Sequence, residues 1–153
     1  MPYVNNAPDN FKEGSELSSY DRSLRYNDYV MELLFRELTR RRIDVLVYLS
    51  DHSDAVSIGK GHDPRPGIYT REMTEIPMWV YLSDSYRNKH PELVAALEKA
   101  KDKVFTNDLL FNLMLTLMGI HNRFNEPRFD LLNEEYCISP KNARTLYGSS
   151  PLF

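Results

Sequence analysis

Cysteine is almost missing from this chain: Cys137 is the single one among 153 residues. An internal disulfide and a CxxC metal cluster are both excluded, and cysteine usage leaves the redox compartment open. Long apolar runs are missing too. The most apolar stretch, residues 109–120, is interrupted by Asn112, Thr116 and Gly119 and is shorter than the about 20 residues that a membrane span requires. Residues 1–10 hold no basic segment followed by an apolar one, so no signal peptide is read and the chain is expected to be soluble. Basic charge is not in excess. Nineteen Lys and Arg against 22 Asp and Glu give a net charge of −3, which argues against nucleic acid as a partner, since duplex binders cluster cations against phosphates. Internal repeats and low-complexity tracts are absent. What remains is 42% hydrophobic and 27% charged, the make-up of one globular domain and not of a disordered chain.

Two Pro, three Asn and one Gly in residues 1–14 read as an irregular lead-in. Leu17, Tyr20, Leu24, Met31, Leu34 and Leu38 then recur at steps of three and four, broken only by Asn27, which predicts a helix. Ser15 or Ser18 can cap its start. Arg40, Arg41 and Arg42 close it, where cations suit the negative end of the helix dipole; a solvated helix end is preferred here to a phosphate patch. Residues 43–49, Ile-Asp-Val-Leu-Val-Tyr-Leu, are short, β-branched and nearly continuously apolar. They predict a strand covered on both faces, as in a parallel or mixed sheet packed by helices. A long polar loop over 50–75 follows, of a length that is usually functional. A second strand is expected over 76–82, with Pro77 near its start. Helices are expected over 91–103, with Pro91 in the first turn, and over 106–118, capped by Thr106 or Asn107 and stopped by Gly119. This order favours an α/β layer architecture, a mixed sheet flanked by helices. The chain divides into the lead-in at 1–14, an α/β domain at 15–132 and a polar tail at 133–153.

Chemistry concentrates after the first strand. In open α/β sheets ligands gather at the carboxyl ends of strands, and Ser50-Asp51-His52 stands there. A carboxylate and an imidazole side by side are acceptable zinc ligands, and ten residues later the loop brings His62 beside Asp63. On spacing alone, a turn-capping Asp51 with an exposed loop His62 is the preferred reading. Thr70 and Thr106 sit at no motif and are set aside as nucleophiles. His90 reads as a helix flank, His121 as exposed, and Trp79, Met114 and Met118 as core. Arg65 and Arg71 lie in the site loop as candidate phosphate contacts, the less favoured reading of each.

Tyr48-Leu49-Ser50-Asp51-His52 resembles the Y-x-S-D-H-G-E segment of the alkaline phosphatase/sulfatase superfamily, and more narrowly of the bacterial lipid A and lipooligosaccharide phosphoethanolamine transferases. The stretch from Tyr20-Asp21 to Asn27-Asp28-Tyr29-Val30 is similar to the helix that leads into that strand. Gly61-His62 falls where the family has a loop histidine. Ile76-Pro77-Met78 resembles its strand start, Thr106-Asn107-Asp108-Leu109-Leu110-Phe111 its S-H-D-N-L-F helix, and Arg128-Phe129-Asp130-Leu131-Leu132 the segment that follows.

The resemblance implies an alkaline phosphatase-like (sulfatase) fold of which this chain is the C-terminal portion. It implies a zinc-dependent transferase in which a threonine attacks phosphatidylethanolamine and the phosphoethanolamine group passes to lipid A or a core sugar of lipopolysaccharide. Asp51 and His52 would be zinc ligands, and His62 would contact the transferred phosphate group or a second metal. The parent enzyme would sit in the inner membrane with a periplasmic catalytic domain, reaching the membrane only through a segment outside this chain. The threonine and an early acidic ligand are expected in the half that this chain lacks. Ser53-Asp54 stands where the family has Gly-Glu. A sulfatase or phosphodiesterase of the same superfamily, and a non-catalytic truncated domain, are the alternatives.

Overall fold

The computed structural model describes residues 19–59, 61, 69–145 and 150–151. The chain forms two compact units, Met1–Asp44 and Val45–Phe153. The first contains helix α1, Ser19–Arg41; the capping candidates Ser15 and Ser18 lie outside the described residues. Its end is closed as the arginine run suggested. Glu37 accepts from Arg40 at 2.7 Å and from Arg41 at 2.9 Å, and the Arg40 guanidinium, then that of Arg41, holds the Glu37 carboxyl below its ordinary range. The two arginines are thus engaged along their own helix. Arg42 takes a left-handed φ of 54°. Its N–H donates to Thr39 O at 3.3 Å and that of Ile43 to Leu38 O at 3.0 Å, a Schellman closure in which arginine occupies the position usually given to glycine.

The second unit is built on two strands, β1 (Val45–Leu49) and β2 (Met78–Leu82). They pair antiparallel, with Val45 opposite Leu82, Val47 opposite Val80 and Leu49 opposite Met78; the described residues hold no parallel pair. All five β1 residues are half-buried, which agrees with the absence of polar alternation. One sheet face presents Val45, Val47, Met78 and Val80 to a core of Ala100, Leu113, Leu117 and Leu131, joined by Leu97, Phe105, Leu132 and Tyr136. The other face carries Tyr48 against Trp79, ring centroids 5.1 Å apart and nearly parallel at 11°. Pro77, which has no N–H to give a ladder, falls just before β2.

Helices follow in close succession. In α2 (Asp84–Lys89) the Ser83 hydroxyl caps the start by accepting the Tyr86 N–H. α3 (Pro91–Ala100) has Pro91 in its first turn, as expected, with His90 at the junction. A single 3-10 turn, Asn107–Leu109, runs into α4 (Leu110–Leu117). The expected cap is not made: the Thr106 side chain forms no capping bond, and the Asn107 carboxamide is used elsewhere. Gly119, with φ of 65°, stops α4. Its N–H donates to Thr116 O at 3.0 Å and that of Ile120 to Leu115 O at 2.9 Å. Met118, read as core, is 62% exposed, because it lies past the last helical turn; Met114 is half-buried. His121 is exposed.

Two long ties follow, one between α2 and α4 and one between the segment after α3 and the start of the tail. The Tyr86 hydroxyl donates to Leu117 O at 2.6 Å and the Tyr136 hydroxyl to Val104 O at 2.6 Å. Buried Asp130 is satisfied by the Thr116 hydroxyl at 2.6 Å and the Leu132 N–H at 3.1 Å, as a buried carboxylate requires. The tail adds a separate two-residue pairing of β3 (Arg144–Thr145) with β4 (Ser150–Pro151).

Leu113 is fully buried, so Leu113→Ala removes its contacts and leaves a void. The expected loss is about 2–5 kcal/mol, read from urea unfolding followed by circular dichroism. Tyr136 offers a pH test. Burial, then the charges of Asp108 and Cys137, push its hydroxyl up to about 12. A phenol held neutral in the folded state stabilises fully below its unfolded value of about 10 and loses that contribution as pH rises from there to the folded value. The stability difference between the native chain and Tyr136→Phe is expected to shrink across that alkaline window in urea titrations.

Candidate functional site

β1 ends at Leu49, and the next four residues form a turn tied on several sides. The Ser50 N–H donates to Pro77 O at 3.4 Å and the Ser53 N–H to Met73 O at 3.2 Å. The Ser50 hydroxyl donates to His52 O at 2.7 Å, and Asp51 Oδ1 accepts the His52 N–H at 3.1 Å. Asn107 Nδ2 donates to Asp51 O at 2.9 Å and Ser50 O at 3.3 Å. The sequence pattern gave Asn107 only a capping role. A Thr-Asn-Asp run before an apolar helix signals a cap, and no local pattern announces a partner 56 residues away.

From this turn the side chains point outward. Asp51 is 87% exposed and His52 42%, with Nε2 of the imidazole 3.6 Å from Asp51 Oδ2. Around a tetrahedral zinc with bonds of about 2.0–2.2 Å, neighbouring ligand atoms stand about 3.4 Å apart. The observed separation is close to one edge of such a tetrahedron, and an oxygen with a nitrogen is a donor set zinc accepts. The pair therefore fits half of a zinc site. Two donors do not close one, and among the described residues no group of three His, Cys, Asp or Glu could hold a metal. His62, the third expected residue, and Arg65 lie outside the described residues. Gly61 is described, and a Cβ built on it would stand 3.7 Å from Asp54 Oδ1, so the chain comes back beside the turn one residue before His62.

The described part of the long loop is ordered by its own bonds. The turns Val56–Ile58 and Arg71–Thr74 are joined where the Ser57 N–H donates to Glu72 Oε1 at 3.0 Å and the Ser57 hydroxyl to Glu72 Oε2. Arg71, a candidate phosphate contact, pairs with Glu75 at 2.8 Å. Beside the Asn107 end, a cavity of about 510 Å³ is lined by Leu49, Met78, Val80, Leu97 and Phe105, with Lys103 among its polar residues.

Residues 2–120 match the family described as Sulfatase. Over 124 residues the chain is 28% identical to phosphoethanolamine transferase EptA of Escherichia coli strain K12, an overlap of 76% of this chain and 22% of that protein. The C-terminal periplasmic domain of phosphoethanolamine transferase EptC from Campylobacter jejuni superposes with a TM-score of 0.68 at 23% identity, covering 90% of this chain and 49% of that one. The corresponding domain of EcEptC from Escherichia coli, in complex with Zn, gives 0.69 at 20%, covering 92% and 44%. The fold is therefore the α/β, alkaline phosphatase-like one of those domains. The chain spans about a fifth of the length of the curated relatives and under half of the solved domains.

The Ser57–Glu72 tie carries its own pH signature. The Ser57 hydroxyl, and then its N–H, hold the Glu72 carboxyl below the ordinary range. A carboxyl depressed by folding stabilises above its unfolded value and loses that contribution as pH falls through the folded one. Amide protection at Ser57, measured by hydrogen exchange, is expected to drop on acidification in the native chain. In Glu72→Gln it should stay flat with pH.

Proposed function

The chain belongs to the Sulfatase family, and on that footing we propose that it is part of a zinc-dependent phosphoethanolamine transferase, to which it contributes the Asp51–His52 side of the metal centre. The relatives named for that transfer support this reading over a sulfatase or a phosphodiesterase. The observation that carries it is the 3.6 Å pair of carboxylate and imidazole on the tied turn after β1. The donor would be phosphatidylethanolamine, and the acceptor a phosphate or sugar of lipid A or the lipopolysaccharide core. The enzyme would act in the periplasm from the inner membrane, as the periplasmic domains of the relatives suggest. No described helix is long and apolar enough to cross a membrane.

When bound, zinc would lower the pKa of an attacking hydroxyl and offset charge on the transferred phosphoryl oxygens. Asp51 and His52 would hold it with one oxygen and one nitrogen, and the exposure of both leaves room for further ligands. His62, from the glycine-bearing segment, would face the phosphoryl group. The attacking hydroxyl is not assigned to any residue of this turn. Ser50 is occupied in donating to His52 O.

The native chain is expected to take up zinc at micromolar concentration by elemental analysis after gel filtration, and the double variant Asp51→Ala, His52→Ala to lose it. Turnover of a model phosphate ester should be slight. A native chain that retains no zinc would remove the metal reading, and fast turnover would refute the assignment of the nucleophile elsewhere.

A further inference from the structure

We propose that Asn107 is a positioning residue that sets the direction of Asp51 and His52; this rests on the zinc reading of that pair. The argument lies in the peptide planes. The carbonyl of Ser50 belongs to the peptide joining Ser50 to Asp51, and the carbonyl of Asp51 to the peptide joining Asp51 to His52. Asn107 Nδ2 has two hydrogens and donates to both carbonyls, at 3.3 and 2.9 Å. The N–H of the second peptide is taken by Asp51 Oδ1 at 3.1 Å. Two consecutive planes are thereby fixed, and with them the backbone dihedrals of Asp51.

A side chain as exposed as that of Asp51 gains little direction from packing, since few neighbours restrict its rotamers. Its aim is inherited from the backbone that bears it, and the peptide joining it to His52 shares that backbone. The far end of the tether is firm. Asn107 opens the 3-10 turn that continues as α4, and Leu109, Leu113 and Leu117 of that continuous segment are buried. One carboxamide thus transmits the rigidity of the core to a solvent-facing donor pair. Groups that orient metal ligands without touching the metal are typically worth about 10–100-fold in affinity.

Zinc affinity by competition with a chromogenic chelator tests this, alongside thermal melting of the metal-free chain. Asn107→Ala is expected to bind zinc about 10–100-fold more weakly. Asn107→Asp keeps the shape but turns acceptors toward two carbonyls, and should bind more weakly still. Thr106→Ala, whose side chain makes no capping bond, should match the native chain. A residue that only supports the fold would lower the melting temperature and leave the affinity of the folded protein unchanged. That result would overturn the positioning role while the metal reading stands. A native chain that takes up no zinc would overturn both. Should Asn107→Asp fail to fold, the His52 imidazole resonances of metal-free Asn107→Ala decide. They are expected to shift from their native positions, and unchanged resonances would count against the proposal.

Discussion

The turn at residues 50–53 is held from both sides of its backbone. Its N–H groups reach into the segment that precedes β2, at Pro77 and Met73, while its carbonyls are taken by the Asn107 side chain. Hydrogen bonds of this kind are individually worth about 1 kcal/mol, so none dominates. Their joint effect is geometric: they leave the backbone of Asp51 little freedom. Without that constraint, adjacent acidic and imidazole groups on a solvent-facing loop would sample many separations, and a ligating pair would be one arrangement among several.

The constraint depends in turn on strand register. Leu49 stands opposite Met78, which brings Pro77 O next to the Ser50 N–H. A slip of one residue would move every strand side chain to the opposite face, exchanging Val45, Val47 and Leu49 for Leu46 and Tyr48 on the core side. The core resists this because Val45, Val47, Met78 and Val80 are committed to Leu113, Leu117 and Leu131. The Leu117 end of α4 is further tied to α2 through the Tyr86 hydroxyl.

Much of this was legible in the amino-acid order because local chemistry dictated it. Gly119 ends a helix, as a residue tolerant of positive φ should, and Pro91 opens one. The apolar run at 43–49 yields β1, and its hydrophobicity on both faces matches the half-buried state of every residue in it. The direction of pairing was not legible, since a short apolar strand has the same composition in either orientation. Nor was the role of Asn107: local preference for capping competes with any distant acceptor, and which one wins depends on packing. Met118 shows the same limit at a helix end, where one residue past the last turn swings an apolar side chain into water. Asp51 and His52 were singled out because an acid and an imidazole adjoin at the end of a strand, and the structure places that pair on one turn, 3.6 Å apart. His62 lies outside the described residues.

The face of the sheet opposite the Leu113 core has an optical consequence. Trp79 is the sole tryptophan of the chain, and its indole lies flat against the phenol ring of Tyr48, two residues before Ser50 on the strand that leads into the turn. Emission excited at the red edge of protein absorbance therefore originates at one place, on the strand pair that bears the candidate ligands. Energy absorbed by the tyrosine is passed across that stack to the indole. The polypeptide thus carries a built-in reporter of whether its two strands remain joined.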